Sequence, residues 1–143
     1  MRRMRVQRDM YEEKNGMNRL TDRGKEKTMA KCKVTVIGKR YDRDLAQRYL
    51  SDPDAGPCPD FEVGQEFLFD IATYGSMNRG NFCTEAWDAI SKYIWACMRG
   101  GSPMEEGWYR DERVTVACCN DGIRPVIFRI ERVDDETPEK DTD

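Results

Sequence analysis

Apolar and polar residues alternate along residues 113–119 and again along 126–133, and the two runs flank Asn120-Asp121-Gly122. Alternation of period two on both sides of a turn triplet predicts a β-hairpin. A two-residue loop pairs Thr115 with Phe128 and Ala117 with Val126. A three-residue loop instead sets Val116 opposite Val126 and Val114 opposite Phe128, with Gly122 at a left-handed position. The second register builds one continuous apolar face and is the one expected. Pro125 has no N–H to donate, so it belongs at an edge or a non-bonded position. Successive strand residues face opposite ways, so Cys118 joins the Val114/Val116 face and Cys119 the other.

The same reading extends upstream. Residues 33–39, KVTVIGK, form a first strand. Asp42 then caps a short helix running to Leu50, with Leu45–Tyr49 and Ala46–Leu50 as i,i+4 pairs. Residues 52–65 are rich in Pro, Gly and Asp and form a loop. Residues 66–72, EFLFDIA, read as a second strand with Phe67, Phe69 and Ile71 on one face, and 73–82 as loop. From Thr84, a plausible N-cap, a helix runs to about Met98 and stops at Gly100-Gly101. Trp87, Ile90, Ile94 and Met98 share its apolar stripe, with Tyr93 and Trp95 at the margins, while Glu85, Asp88 and Lys92 lie opposite. The order β-α-β-α-β-β implies an α+β domain: a small mixed or antiparallel sheet, helices packed on one face, and a C-terminal hairpin.

Composition sets the limits of this domain. Of 143 residues, 36% are charged and only 38% apolar. Residues 1–28 hold nine Lys/Arg against five Asp/Glu, and residues 131–143 seven acids against two bases. The chain therefore divides into a basic N-terminal arm (1–28), one α+β domain (29–133) and an acidic tail (134–143). An overall charge of −3 leaves no footprint for nucleic acid, and no apolar run reaches membrane-spanning length. The basic N-terminus lacks the apolar segment of a secretion signal, so the expected location is the cytoplasm, where thiols stay reduced. Histidine is absent, which excludes Ser-His-Asp and Cys-His catalytic pairs and histidine-based zinc sites. Nothing points to an enzyme.

Six cysteines remain to be explained. Cys32 opens the first strand and Cys97 lies on the buried side of the long helix, and both read as small core residues. Cys58 sits between two prolines, Cys83 precedes a helix N-terminus, and Cys118 and Cys119 flank the hairpin turn. Three stretches, CPDFEVGQEF (58–67), FCTEAWDAI (82–90) and ACCNDGIRPVIF (117–128), occur in one order. With the DLAQRYL helix (44–50), they make the chain resemble a family of small bacterial and archaeal proteins, frequent in anaerobes and without an established activity. The resemblance spans about residues 31–133 and implies that Cys58, Cys83, Cys118 and Cys119 are the set to watch.

Three functional readings follow for a small accessory or binding protein. The four loop cysteines could form a Cys₄ metal site for zinc or iron, although no CxxC pair is present and Cys118 and Cys119 must converge for it. Alternatively Cys83, placed where a helix dipole favours a thiolate, attacks in thiol–disulfide exchange, with Cys58 or one of Cys118/Cys119 resolving. In the third reading the cysteines are structural, and a surface including Trp87, Trp95, Trp108, Asp121 and Arg124 receives an unidentified protein or small-molecule partner.

Overall fold

The structure, a computed structural model, describes residues 30–134. The basic arm, and the acidic tail beyond Asp134, lie outside the described residues. Four strands form one antiparallel sheet: β1 (Lys31–Lys39), β2 (Glu66–Phe69), β3 (Val114–Cys118) and β4 (Val126–Val133). Their spatial order is β2-β1-β4-β3, which makes β1 and β4 the central pair. Three helices join them: α1 (Arg43–Tyr49), α2 (Ile71–Gly75) and α3 (Thr84–Met98). No helix among the described residues is long and apolar enough to cross a membrane.

The core lies between α3 and one face of the sheet. Cys32, Val34 and Val36 of β1, Phe69 of β2, and Val126, Phe128 and Ile130 of β4 are all buried there. They meet Ala86, Ile90, Ile94, Cys97 and Met98 along one stripe of α3. Each large apolar side chain so buried contributes about 1.5–3 kcal/mol. Among the described residues, no helix covers the opposite sheet face. There Ile37, Leu68 and Val116 stay 39–53% exposed beside an ion-pair row in which Lys33 meets both Glu131 (3.2 Å) and Glu66 (3.8 Å).

Several expectations need correction. The first strand begins at Lys31, two residues early. The second ends at Phe69, because Asp70 starts a new helix through a capping box: its carboxylate accepts the Thr73 N–H while the Thr73 hydroxyl accepts the Asp70 N–H. Ile71 therefore leaves the strand face and is exposed, and part of the expected 73–82 loop is α2. Thr84 is the first residue of α3 and Cys83 its N-cap.

The hairpin register is also different. Thr115 pairs with Ile130 and Ala117 with Phe128, while Val114 and Val116 stand opposite Glu131 and Arg129 on the outer face. The connection is six residues, because Cys119 still pairs with Val126 through its N–H (3.1 Å). Gly122 takes no positive φ. Asp121 makes the turn instead, its Oδ1 accepting the N–H groups of Ile123 (2.9 Å) and Arg124 (3.0 Å). Small residues at 115 and 117 face the core beneath α3, and the bulkier valines turn outward.

Strand β1 carries one irregularity with functional weight. Val36 pairs with Phe128 and Gly38 with Ile127, leaving Ile37 as the extra residue of a bulge. Lys39 then pairs with Val126, whose side chain points into the core.

Candidate functional site

The loops gather at the end of the sheet where β1 finishes. Lys39, half-buried and facing inward, donates from Nζ to the carbonyls of Cys58 and Phe61, both at 2.9 Å. Those two bonds pin the irregular 58–65 loop over the end of the core. On the other side of Val126 stands Cys119, whose Sγ accepts the Val126 N–H at 3.4 Å. The next residue, Asn120, donates from Nδ2 to Asp88 (2.7 Å) and Glu85 (3.3 Å), which ties the hairpin to the first turns of α3.

Phe61 is the hub of this end. Its ring packs edge-on against Phe128 (5.2 Å between centroids), Phe82 (5.4 Å) and Phe67 (6.0 Å). Phe82 is buried, and its insertion fixes where the chain enters α3, so Cys83 becomes the cap although Thr84 is the better capping type. Cys83 makes no side-chain cap bond, so its thiol is not used by the helix.

The segment feeding this helix is strained. Met77, Asn78 and Arg79 take φ of 52°, 54° and 57°, three successive non-glycine residues in the left-handed region. Each such residue costs on the order of 1 kcal/mol. The bonds that hold the turn include Asn78 N–H to Thr73 (2.7 Å), Gly80 N–H to Ser76 (2.9 Å) and Asn78 Nδ2 to the Asn81 carbonyl (3.2 Å).

Between the pinned loop and this turn lies a hollow of about 400 Å³. Phe61, Phe67 and Phe82 make its floor, Asp60, Gln65, Asn81 and Thr84 its polar edge, and Cys83 opens into it. An aromatic floor with a few polar groups at the rim is the usual make-up of a small-molecule site, and the volume falls within the usual range of about 300–1,000 Å³. Two of the three motifs read in the sequence, 58–67 and 82–90, supply all of its lining except Asn81. A larger hollow of about 550 Å³ beside α1 is lined by Arg40, Tyr41, Asp42, Arg43 and Asp44 with Gly122, Ile123 and Pro125, so charged side chains outnumber its single aromatic ring.

The four cysteines singled out from sequence do not share one place. Cys58, Cys83 and Cys119 pack against the core, whereas Cys118 is exposed on the outer sheet face with Val116. Among the described residues, no group of three or more cysteine, aspartate or glutamate side chains is arranged to hold a metal ion. Asp121 and Arg124 do come together, in a 3.3 Å ion pair that borders a hollow of about 260 Å³ next to Leu50 and Ala55. Trp87 belongs to the flank of the core, between Phe69 (5.5 Å) and Tyr74 (5.1 Å). Trp108 is 77% exposed on the loop before β3.

Two features escape sequence reading. Lys39 has the same parity as the outward Lys33, and only the bulge turns it inward. Cys32 and Cys97, read separately as core residues, belong to one buried cluster that joins β1 to the last turn of α3. Comparison with known proteins gives no match: no family model, no curated protein and no solved structure is similar to this chain.

Proposed function

We propose that this protein is a small cytoplasmic accessory protein that binds a flat, largely apolar small molecule in the hollow over Phe61, Phe67 and Phe82, with the Cys83 thiol beside it. One observation carries the reading: two separate sequence motifs fold together to line one aromatic-floored hollow that holds an unengaged thiol. The strained turn at 77–79 adds support, since such backbone is retained where geometry matters more than stability. Six unpaired cysteines suit a reducing compartment. In this reading Cys58 and Cys119 serve packing, and Lys39 holds the loop that forms one wall.

The test compares two thiol reagents of equal chemistry, N-phenylmaleimide and N-ethylmaleimide, with modification followed at each cysteine by peptide mass. Exposed Cys118 gives the intrinsic ratio of the two rates. At Cys83 the phenyl reagent should be favoured over that ratio roughly fivefold, the size of one aromatic contact of about 1 kcal/mol. Phe67→Ala should remove the excess, and Gln65→Trp, which fills the hollow from an exposed position, should slow both reagents. Equal ratios at Cys83 and Cys118 would rule out an aromatic-binding hollow.

A further inference from the structure

The rim of the hollow over Phe61, Phe67 and Phe82 carries a charge, and that charge selects among flat ligands. Apart from the Cys83 thiol, Asp60 is the sole ionisable side chain in its lining, which holds no lysine or arginine. Among the described residues no cation pairs with the Asp60 carboxylate, and no N–H donates to it. Lys39 reaches the same loop but is engaged from below by the Cys58 and Phe61 carbonyls. The Asn81 side-chain amide and the Thr84 hydroxyl are also unengaged among the described residues. Gln65 uses only its Oε1, which accepts the Glu62 N–H at 3.3 Å. The N-terminal end of α3 pulls the other way, since a helix dipole places about half a positive charge there. Glu85 in the first turn already offsets that half charge, so Asp60 decides the sign of the rim.

We propose, resting on the reading of this hollow as a small-molecule site, that its ligand is an aminated nitrogen heterocycle held by Asp60. The class is that of guanine or 2-aminoimidazole rings, in which an amino group stands beside a ring nitrogen that carries a proton. Two parallel N–H groups of such an edge donate to the two oxygens of one carboxylate. That geometry is what makes guanidinium–carboxylate pairs strong and directional. The body of the ring rests on the Phe61, Phe67 and Phe82 floor, where a flat aromatic or cationic group is favoured. The amides of Gln65 and Asn81 offer both donors and acceptors to the polar atoms that remain on the ring. An aromatic carboxylate or a phosphate ester instead meets Asp60 with like charge, and no cation in the lining offsets it. The hollow therefore selects by the sign of charge as well as by flatness. A carboxylate at a hydrated rim discriminates less than a buried one, so the preference is modest.

The experiment alkylates the reduced full-length protein with iodoacetamide and follows Cys83 and Cys118 by peptide mass while fused two-ring probes compete. 2-Aminobenzimidazole carries the paired N–H edge, indole has the ring without it, and indole-2-carboxylate brings the opposite charge. 2-Aminobenzimidazole should protect Cys83 at a roughly fivefold lower concentration than indole, with indole-2-carboxylate the weakest. None of the three should protect exposed Cys118. Asp60 is exposed, so Asp60→Asn should fold, lose the advantage of 2-aminobenzimidazole and keep the protection by indole. Asp60→Lys, a second change at the same position, should invert the order and make indole-2-carboxylate the best of the three. Equal protection by all three rings would overturn the assignment of the ligand class and leave the aromatic hollow standing. So would an advantage of 2-aminobenzimidazole that survives in Asp60→Asn. No protection of Cys83 by any ring would overturn the assignment and the small-molecule site together.

Discussion

Asp121 organises the tip of the hairpin through one carboxylate. Its Oδ1 receives the N–H groups of Ile123 and Arg124, and its Oδ2 meets the Arg124 Nε at 3.3 Å. The Arg124 N–H is the main reason that the carboxyl is held below the usual carboxylate range, with the Ile123 N–H and the Arg124 guanidinium adding to it. A depressed folded-state pKa stabilises above the unfolded value of about 3.9 and ceases to do so as the pH falls through the folded value. Asp121→Ala should therefore cost about 1 kcal/mol at pH 7, a modest figure because the side chain is partly solvated. Urea unfolding at pH 7 and pH 3 checks this: the gap between wild type and variant should narrow at the lower pH, and Asp121→Asn should keep most of the stability. An equal gap at both pH values would mean that the charge is irrelevant to the turn. The Asn-Asp-Gly triplet announces a turn at this place. Which of the three makes it depends on a six-residue span that local preference does not specify.

At the scale of elements, legibility follows the strength of the periodicity. The stripe Ile90, Ile94, Met98 gives α3 and its buried side directly, and the Asp42 cap gives α1, its side chain accepting the Leu45 N–H at 3.0 Å. Strand β4 is legible too, since Val126, Phe128 and Ile130 all turn inward. Strand β3 is not. Its valines carry the stronger hydrophobic signal, yet the ladder turns Thr115 and Ala117 inward, where α3 passes close above. Packing across the sheet overrides the local pattern.

The outward face and edge of β3 are then managed by another loop. The Tyr109 hydroxyl accepts the Val116 N–H and donates to the Val116 carbonyl, each at 3.2 Å, and so occupies the backbone groups that an edge strand leaves open. Tyr109→Phe removes both bonds. It should cost about 1 kcal/mol and speed hydrogen exchange at the Val116 amide by more than the roughly fivefold rise that this loss of stability brings to the core amides of β1. Unaltered exchange at Val116 would show that the edge is protected by something other than Tyr109.

Across the whole molecule, the cysteines show what distance along the chain hides. Local surroundings mark Cys58, Cys83 and Cys118/Cys119 as unusual and Cys32 and Cys97 as ordinary. The fold disperses the first group over two faces and places the second in one buried cluster, between the first strand and the end of α3. The hollow beside Cys83 is legible in a weaker sense: both of its motifs stand out in the sequence, but their meeting depends on Lys39, and Lys39 depends on the bulge. That bulge has a consequence for how the chain tolerates change in length. Ile37 is a spare residue, because Gly38 already follows Val36 in the partner's count, Phe128 then Ile127. Deleting Ile37 should leave a regular ladder with Lys39 still turned inward, whereas deleting Thr35 should invert the facing of the whole first half of the strand. Thermal melts of the two deletions compare them directly, and equal damage would deny Ile37 its special status. If the deletions differ as expected, a family of such chains can gain or lose one residue here, and nowhere else in this strand, without rewriting the core.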